Sequence, residues 1–163
     1  MSLYVGVAGA SEPDPSLIPI AETLGRCLAE AGAIVVCGGG PGVMTAVCRG
    51  AQAAGGTTVG LLPGGDRAAG NPHLSVALPT ALGEGRNVLL VRASDVLVAV
   101  GGGFGTLSEI ALALRTGVPV VGLGTWGLTL SGHPVDAFPV AQGAEETARL
   151  AVEAVNRRPR NRL

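Results

Sequence analysis

The stretch DVLVAVGGGFGTLSE, at residues 95–109, decides the fold: an apolar run, a glycine-rich turn and the start of a helical pattern follow one another. The same succession occurs earlier as AIVVCGGGPGVM, at residues 33–44. Glycine lets the backbone curl until several N–H groups point at one spot, and a helix N-terminus adds the positive end of its dipole. Each turn is therefore predicted to hold an anion, most often phosphate. Two such turns predict one ligand held by both, or a ligand with two acidic ends.

Segments of strand length and segments of helical periodicity alternate along the chain. This alternation predicts an α/β, Rossmann-like fold with a single doubly wound, mostly parallel sheet and helices on both faces. Right-handed crossovers place the carboxyl ends of the strands, and both glycine turns, along one edge. The predicted strands cover residues 3–8, 33–37, 57–62, 74–78, 95–100 and 118–123, and the predicted helices cover residues 16–31, 41–54, 82–93, 106–115 and 144–156.

The chain has 163 residues, of which 47% are apolar, so it can bury a core of its own. One domain over residues 1–163 is expected, with a flexible basic tail from about residue 157. The longest stretch without periodicity, residues 63–72, predicts a loop that carries function or moves. Pro41 is expected in the first turn of its helix, where proline is well tolerated.

All eleven basic residues are arginines, and the formal net charge is −1. A charge this small predicts no nucleic-acid partner. Without lysine the chain can form neither a P-loop NTPase site nor the Schiff base of pyridoxal phosphate. Classical NAD binding is also disfavoured, because Val43 and Thr106 stand where the GxGxxG fingerprint requires its third glycine.

Metal, redox and membrane signals are weak. The three cysteines lie apart in apolar stretches, so they are interpreted as core residues in a reducing compartment. His73 and His133 have no partners at ligand spacing, which predicts no metal site. No leader segment or membrane-spanning apolar run is recognised, so a cytoplasmic location without membrane attachment is expected.

The segment around the second turn carries the candidate chemistry. Thr106 and Glu109 have the spacing of a capping box, in which Glu109 would fold back onto the helix N-terminus. In the alternative interpretation, the Glu109 carboxylate lies beside the anion-binding glycine turn and contacts a ligand hydroxyl or a water. The Arg86 guanidinium could bind a phosphate or carboxylate through two parallel hydrogen bonds, or the side chain could lie on the surface.

These residues resemble the LOG-like superfamily, named for the "lonely guy" phosphoribohydrolases and once labelled "lysine decarboxylase". The family motif PGGxGTxxE is similar to residues 101–109, with Gly101 in place of proline, and the family's arginine falls on Arg86, 23 residues before Glu109. The resemblance implies that Arg86 and Glu109 form the catalytic pair. It also implies that the ligand and its phosphate are bound by Ser11, Gly38, Gly39, Gly40, Gly42, Val43, Met44, Asn87, Gly102, Gly103, Gly105 and Thr106.

The chain has Arg86-Asn87 where LOG enzymes usually have Arg-Lys. With Ser94-Asp95 and residues 105–114, it is more similar to a short subfamily that includes molybdenum-cofactor carrier proteins. Three functions therefore stay open at this point. A hydrolase would cleave a nucleoside 5′-monophosphate into ribose 5-phosphate and a free base, a carrier would bind the molybdenum cofactor without turnover, and a sensor would bind a nucleotide. No cofactor is required in any of them. The resemblance and the apolar helices also predict a homo-oligomer, a dimer or a tetramer.

Overall fold

A computed structural model of the chain describes residues 2–157. Seven parallel strands form one sheet, and a two-stranded hairpin lies beside it. The strands are β1 (Leu3–Gly9), β2 (Ala33–Cys37), β3 (Thr58–Leu62), β4 (Val76–Pro79), β5 (Val96–Val100), β6 (Val120–Leu123), β7 (Leu128–Leu130), β8 (His133–Val135) and β9 (Val140–Ala141). The helices are α1 (Leu17–Glu30), α2 (Val43–Ala53), α3 (Arg86–Ala93), α4 (Phe104–Thr116) and α5 (Ala144–Asn156). The predicted Rossmann-like fold is confirmed.

The strand order is β4-β3-β2-β1-β5-β6-β9, so the chain winds outward from β1 in one direction and from β5 in the other. Adjacent strands whose connections leave in opposite directions open a crevice at their carboxyl ends, where α/β proteins bind ligands. In this protein the crevice lies between β1 and β5, with the second glycine turn at the end of β5 and the first at the end of the neighbouring strand β2.

Burial explains why the central strands read as continuous apolar runs. Every residue of β5 is buried, because helices cover both faces of the sheet. Helices α1, α2 and α5 pack on one face, around Val5, Val7 and Val98, and helices α3 and α4 pack on the other, around Leu97 and Ala99.

Helices α1 and α2 touch backbone to backbone. A methyl group added at Gly25 would overlap the carbonyl oxygen of Val47, and one added at Gly50 would overlap the carbonyl oxygen of Glu22. Two helical glycines thus set the distance between these helices.

Several predicted boundaries are wrong. Helix α4 begins at Phe104 with Gly103 as its N-cap, so Thr106 is already inside the helix and the capping-box interpretation fails. Helix α2 begins at Val43, because Gly42 has a φ of 67° that no helix accommodates, and Pro41 therefore lies in the preceding turn.

The remaining differences concern short elements. The predicted helix over residues 82–93 is divided into a 3-10 turn at Gly83–Gly85 and helix α3, and the loop over residues 63–72 contains a 3-10 turn at Arg67–Ala69. The hairpin β7–β8 and the edge strand β9 were not predicted. Beyond Arg157, the predicted basic tail lies outside the described residues.

None of the helices in the described part of the chain combines the length and the apolar character that a bilayer crossing requires.

Candidate ligand-binding site

A cavity of about 510 Å³ opens at the crevice between β1 and β5. Its walls come from the ends of β1 and β2, from the start of α3 and from the second glycine turn. Volumes of this size are typical of small-molecule sites. The predicted site residues that line it are Ser11, Gly38, Met44, Arg86, Asn87, Gly102, Gly103, Gly105, Thr106 and Glu109.

An ion pair joins the two predicted catalytic residues inside this cavity. Arg86 Nη1 lies 3.3 Å from Glu109 Oε1, and the side chains are only 16% and 7% exposed. Arg86 opens α3 and Glu109 lies in the second turn of α4, so the packing of these two helices on one sheet face brings the charges together. The structure supports the interpretation in which Glu109 faces the ligand cavity rather than the helix cap.

The arginine keeps a spare donor. Within residues 2–157, Arg86 Nε is a buried nitrogen without a hydrogen-bond partner. The guanidinium also lies against Gly38, where an added Cβ would stand 2.5–2.7 Å from three guanidinium atoms. Gly38 therefore makes the room in which Arg86 sits, and a ligand anion can satisfy the remaining donor.

Burial raises the pKa of Glu109 to about 7, although the charge of Arg86 lowers it. A carboxyl with such a pKa exchanges its proton near neutral pH, as general acids and bases must. It also loses its negative charge readily when an anion approaches.

This raised pKa predicts a specific pH dependence of stability. Between about pH 4.5, the ordinary value, and about pH 7, Glu109 is protonated in the folded protein and ionised in the unfolded chain. Its contribution to stability is therefore full below this interval and is lost as the pH rises through it, by about 3 kcal/mol in total. Urea unfolding of wild type and Glu109→Gln from pH 4.5 to 8.5 measures the contribution. The variant should gain relative stability as the pH rises, and a constant difference would contradict the prediction.

The start of α4 supplies uncharged donors. The first four N–H groups of a helix have no partner within it, and the N-cap residue Gly103 offers no side chain to satisfy them. Gly105 and Thr106 belong to this first turn and line the cavity. Trp126 braces the turn, because its Nε1 donates to the Gly103 carbonyl oxygen at 3.2 Å and its ring stacks on Phe104. The arrangement can bind an anion with a helix N-terminus.

Most of the first glycine turn, unlike the second, lies outside the cavity. Gly39, Gly40, Gly42 and Val43 do not line the cavity. The Val43 N–H donates to the Ala10 carbonyl oxygen at 3.1 Å. A side chain at Gly42 would collide with the backbone of Ala10 and Ser11. This part of the turn holds α2 against the end of β1, and only its first residue, Gly38, reaches the site.

The long loop is fastened to that turn through one residue. The Asn71 backbone N–H donates to the Gly39 carbonyl oxygen at 2.8 Å, and its side-chain Nδ2 donates to the Gly40 carbonyl oxygen at 3.2 Å. Asn87 has a comparable bridging role. Its Nδ2 donates to Ser108 Oγ at 3.0 Å, and that hydroxyl donates to the Gly105 carbonyl oxygen at 2.7 Å. The Asn87 amide therefore ties α3 to the start of α4.

Sequence reasoning missed two acidic residues of the cavity, Glu12 and Glu84. Each lies close in sequence to a predicted residue, since Glu12 follows Ser11 and Glu84 precedes Arg86 by two positions. That proximity was the signal that could have found them. With Glu109 they give the cavity three carboxyl groups beside one guanidinium, so it can accept N–H donors as well as an anion.

No three His, Cys, Asp or Glu side chains within residues 2–157 come together in a way that could hold a metal ion.

Comparison with known proteins places this geometry in a family. The SLOG cluster4 family matches residues 2–155. The chain belongs to the SLOG cluster4 family. An uncharacterized protein from Archaeoglobus fulgidus is 41% identical over 121 residues, which is 74% of this chain and 80% of that protein.

Two solved structures share the fold of this SLOG protein over nearly its whole length. The molybdenum cofactor binding protein of the phototrophic bacterium Rippkaea orientalis is 32% identical, with a TM-score of 0.85 over 96% of this chain and 98% of that one. The molybdenum cofactor carrier protein of Chlamydomonas reinhardtii is also 32% identical, with a TM-score of 0.86 over 96% and 100% of the two chains. The suspected resemblance to LOG-like proteins and to this short subfamily is confirmed.

Proposed function

We propose that this protein binds the molybdenum cofactor in the 510 Å³ cavity and carries it without turnover. The observation that carries the proposal is the 32% identity, over 96% of the chain, to two proteins that are described as binding or carrying this cofactor.

The chemistry of the cavity fits the two ends of such a ligand. The phosphate would lie at the start of α4, on the amides of Gly105 and Thr106, with Arg86 as the counter-charge. The pterin carries N–H groups, and the carboxylates of Glu12 and Glu84, which also line the cavity, are hydrogen-bond acceptors. A ligand with an anionic end and a donor-rich end therefore satisfies both kinds of side chain.

A second candidate function rests on the Arg86–Glu109 pair. A nucleoside 5′-monophosphate phosphoribohydrolase would add water across the N-glycosidic bond and release ribose 5-phosphate and a free base. In that reaction Arg86 would hold the phosphoribosyl group, and Glu109 would stabilise the oxocarbenium-like centre and activate the water. A pKa of about 7 suits Glu109 to that proton transfer.

One panel separates the two functions. Purified protein is mixed with molybdopterin, AMP, GMP and cytokinin monophosphates, binding is followed by thermal shift, and products are analysed by chromatography. The carrier proposal expects a thermal shift with molybdopterin and no base release from any nucleotide. Base release that disappears in Glu109→Gln, with binding retained, would establish the hydrolase instead. Absence of any shift with molybdopterin would contradict the carrier.

We also propose that the protein forms a homo-oligomer, a dimer or a tetramer. Apolar side chains remain exposed on the edge strand β4, at Val76 and Leu78, and on α3, at Val88 and Leu89. A second copy of the chain could bury these side chains. Light scattering after gel filtration should give a multiple of 16.1 kDa, and a monomer would contradict the proposal.

A further inference from the structure

Three sulfur-bearing side chains lie together beneath the first glycine turn. Cys37 ends β2, and Met44 and Cys48 lie one turn apart on α2. The two cysteines are fully buried, Met44 is 7% exposed, and Leu74 packs over the group. Cys37 Sγ and Cys48 Sγ are 3.5 Å apart. We call these three residues the sulfur cluster.

A backbone N–H group also points at the sulfur cluster. The Gly39 N–H donates to Cys37 Sγ at 3.3 Å. N–H groups directed at sulfur are the outer partners that metal-bound thiolates use.

We propose that Cys37, Cys48 and Met44 form a binding site for one soft monovalent metal ion, of the chemical class of Cu(I). Two thiols and a thioether are the ligands that select such an ion. Zn²⁺ is a poorer match, because its structural sites have four nitrogen or sulfur ligands. Binding of Cu⁺ releases both thiol protons and leaves a complex of charge −1.

The surroundings can accommodate that charge and admit the ion. Arg86 lies against Gly38, the residue that follows Cys37, so its guanidinium can balance the added negative charge. Met44 belongs both to the sulfur cluster and to the wall of the ligand cavity. Rotation of this flexible side chain connects the two spaces, so the ion can enter through the cavity.

The test uses the full chain, fully reduced and under argon, titrated with Cu(I) in competition with the chromophoric chelator bicinchoninate. Wild type should take up one Cu(I) per chain with a thiolate-to-copper absorption band in the near ultraviolet. Cys37→Ser and Cys48→Ser should each lose the band and bind at least 100-fold more weakly. Met44→Leu preserves the side-chain volume and should bind about tenfold more weakly. Cys27→Ser, the control from helix α1, should behave as wild type.

A second measurement uses wild type alone and does not depend on how the variants fold. Because burial alone already slows alkylation of Cys37 and Cys48, the rates are compared with and without one equivalent of Cu(I). Both cysteines should react more slowly with the metal and Cys27 at an unchanged rate, as mapped by mass spectrometry. The proposal is overturned if wild type yields Cu(I) to bicinchoninate as readily as Cys48→Ser does, if Cys27→Ser abolishes uptake, or if the protected cysteines are not this pair.

Discussion

Gly50→Ala is expected to lower the free energy of unfolding by about 3 kcal/mol, at the upper end of the usual cost of overpacking. In an isolated helix the same change would be stabilising, because alanine is the better helix former by about 1 kcal/mol. Here the new methyl group collides with the backbone of Glu22, and neither helix can yield without moving its neighbours. Gly25→Ala, which faces the Val47 carbonyl oxygen from α1, should have a similar effect.

Gly105→Ala is the matched control for these two variants. Gly105 is also helical, and an added Cβ there would meet nothing within 4 Å. Its stability should be unchanged or raised by at most about 1 kcal/mol. Urea unfolding monitored by circular dichroism measures all three proteins. Equal stabilities for Gly50→Ala and Gly105→Ala would show that the two helices are not in backbone contact.

Arg86→Gln is expected to weaken binding of the phosphorylated ligand by about 10- to 100-fold, which is the usual effect of losing hydrogen bonds to a charged group. The fold should survive, because removing the guanidinium raises the pKa of Glu109 further, and the carboxyl then stays neutral in its buried position. Isothermal titration calorimetry with the tightest ligand of the panel measures the loss. Wild-type affinity would exclude Arg86 from the site.

Gly38→Ala tests the same contact without removing the charge. The methyl group would displace the guanidinium, which is the far end of a flexible side chain, so affinity should fall while stability changes little. Gly65→Ala is the control, because its Cβ would meet nothing within 4 Å. If the two alanine variants bind equally well, the position of Arg86 against Gly38 is unimportant for binding.

The sequence was most informative where one interaction dominates. The all-apolar run of β5 and the glycine turn after it allow only a buried parallel strand that leads into a helix. The parallel sheet and the ligand edge could be predicted for that reason. Short elements such as β7 and β9 carry no comparable pattern, since two or three residues are too few to show a periodicity.

The site was only partly predictable because its contacts join distant segments. Thr106 and Glu109 have the local spacing of a capping box. The helix nevertheless starts two residues earlier, with Gly103 as its N-cap. Helix α3 packs on the same sheet face and brings Arg86 to Glu109. Local spacing could not anticipate this pairing. Glu12 and Glu84 were missed for a different reason: neither belongs to a recognisable motif, although each lies within two residues of a predicted site residue.

The central pairing of β1 with β5 has a consequence for biosynthesis. Val5 is the register partner of Val96, and the Tyr4 N–H donates to Asp95 across 91 residues of chain. A ribosome therefore releases β1, β2 and α2 well before the strand that closes the middle of the sheet emerges. Contacts between residues so distant in sequence form slowly. Until β5 pairs with it, the free edge of β1 can pair with other chains and aggregate. The nascent protein should depend on chaperones until residue 100 is free, and the cavity between β1 and β5 can form only afterwards.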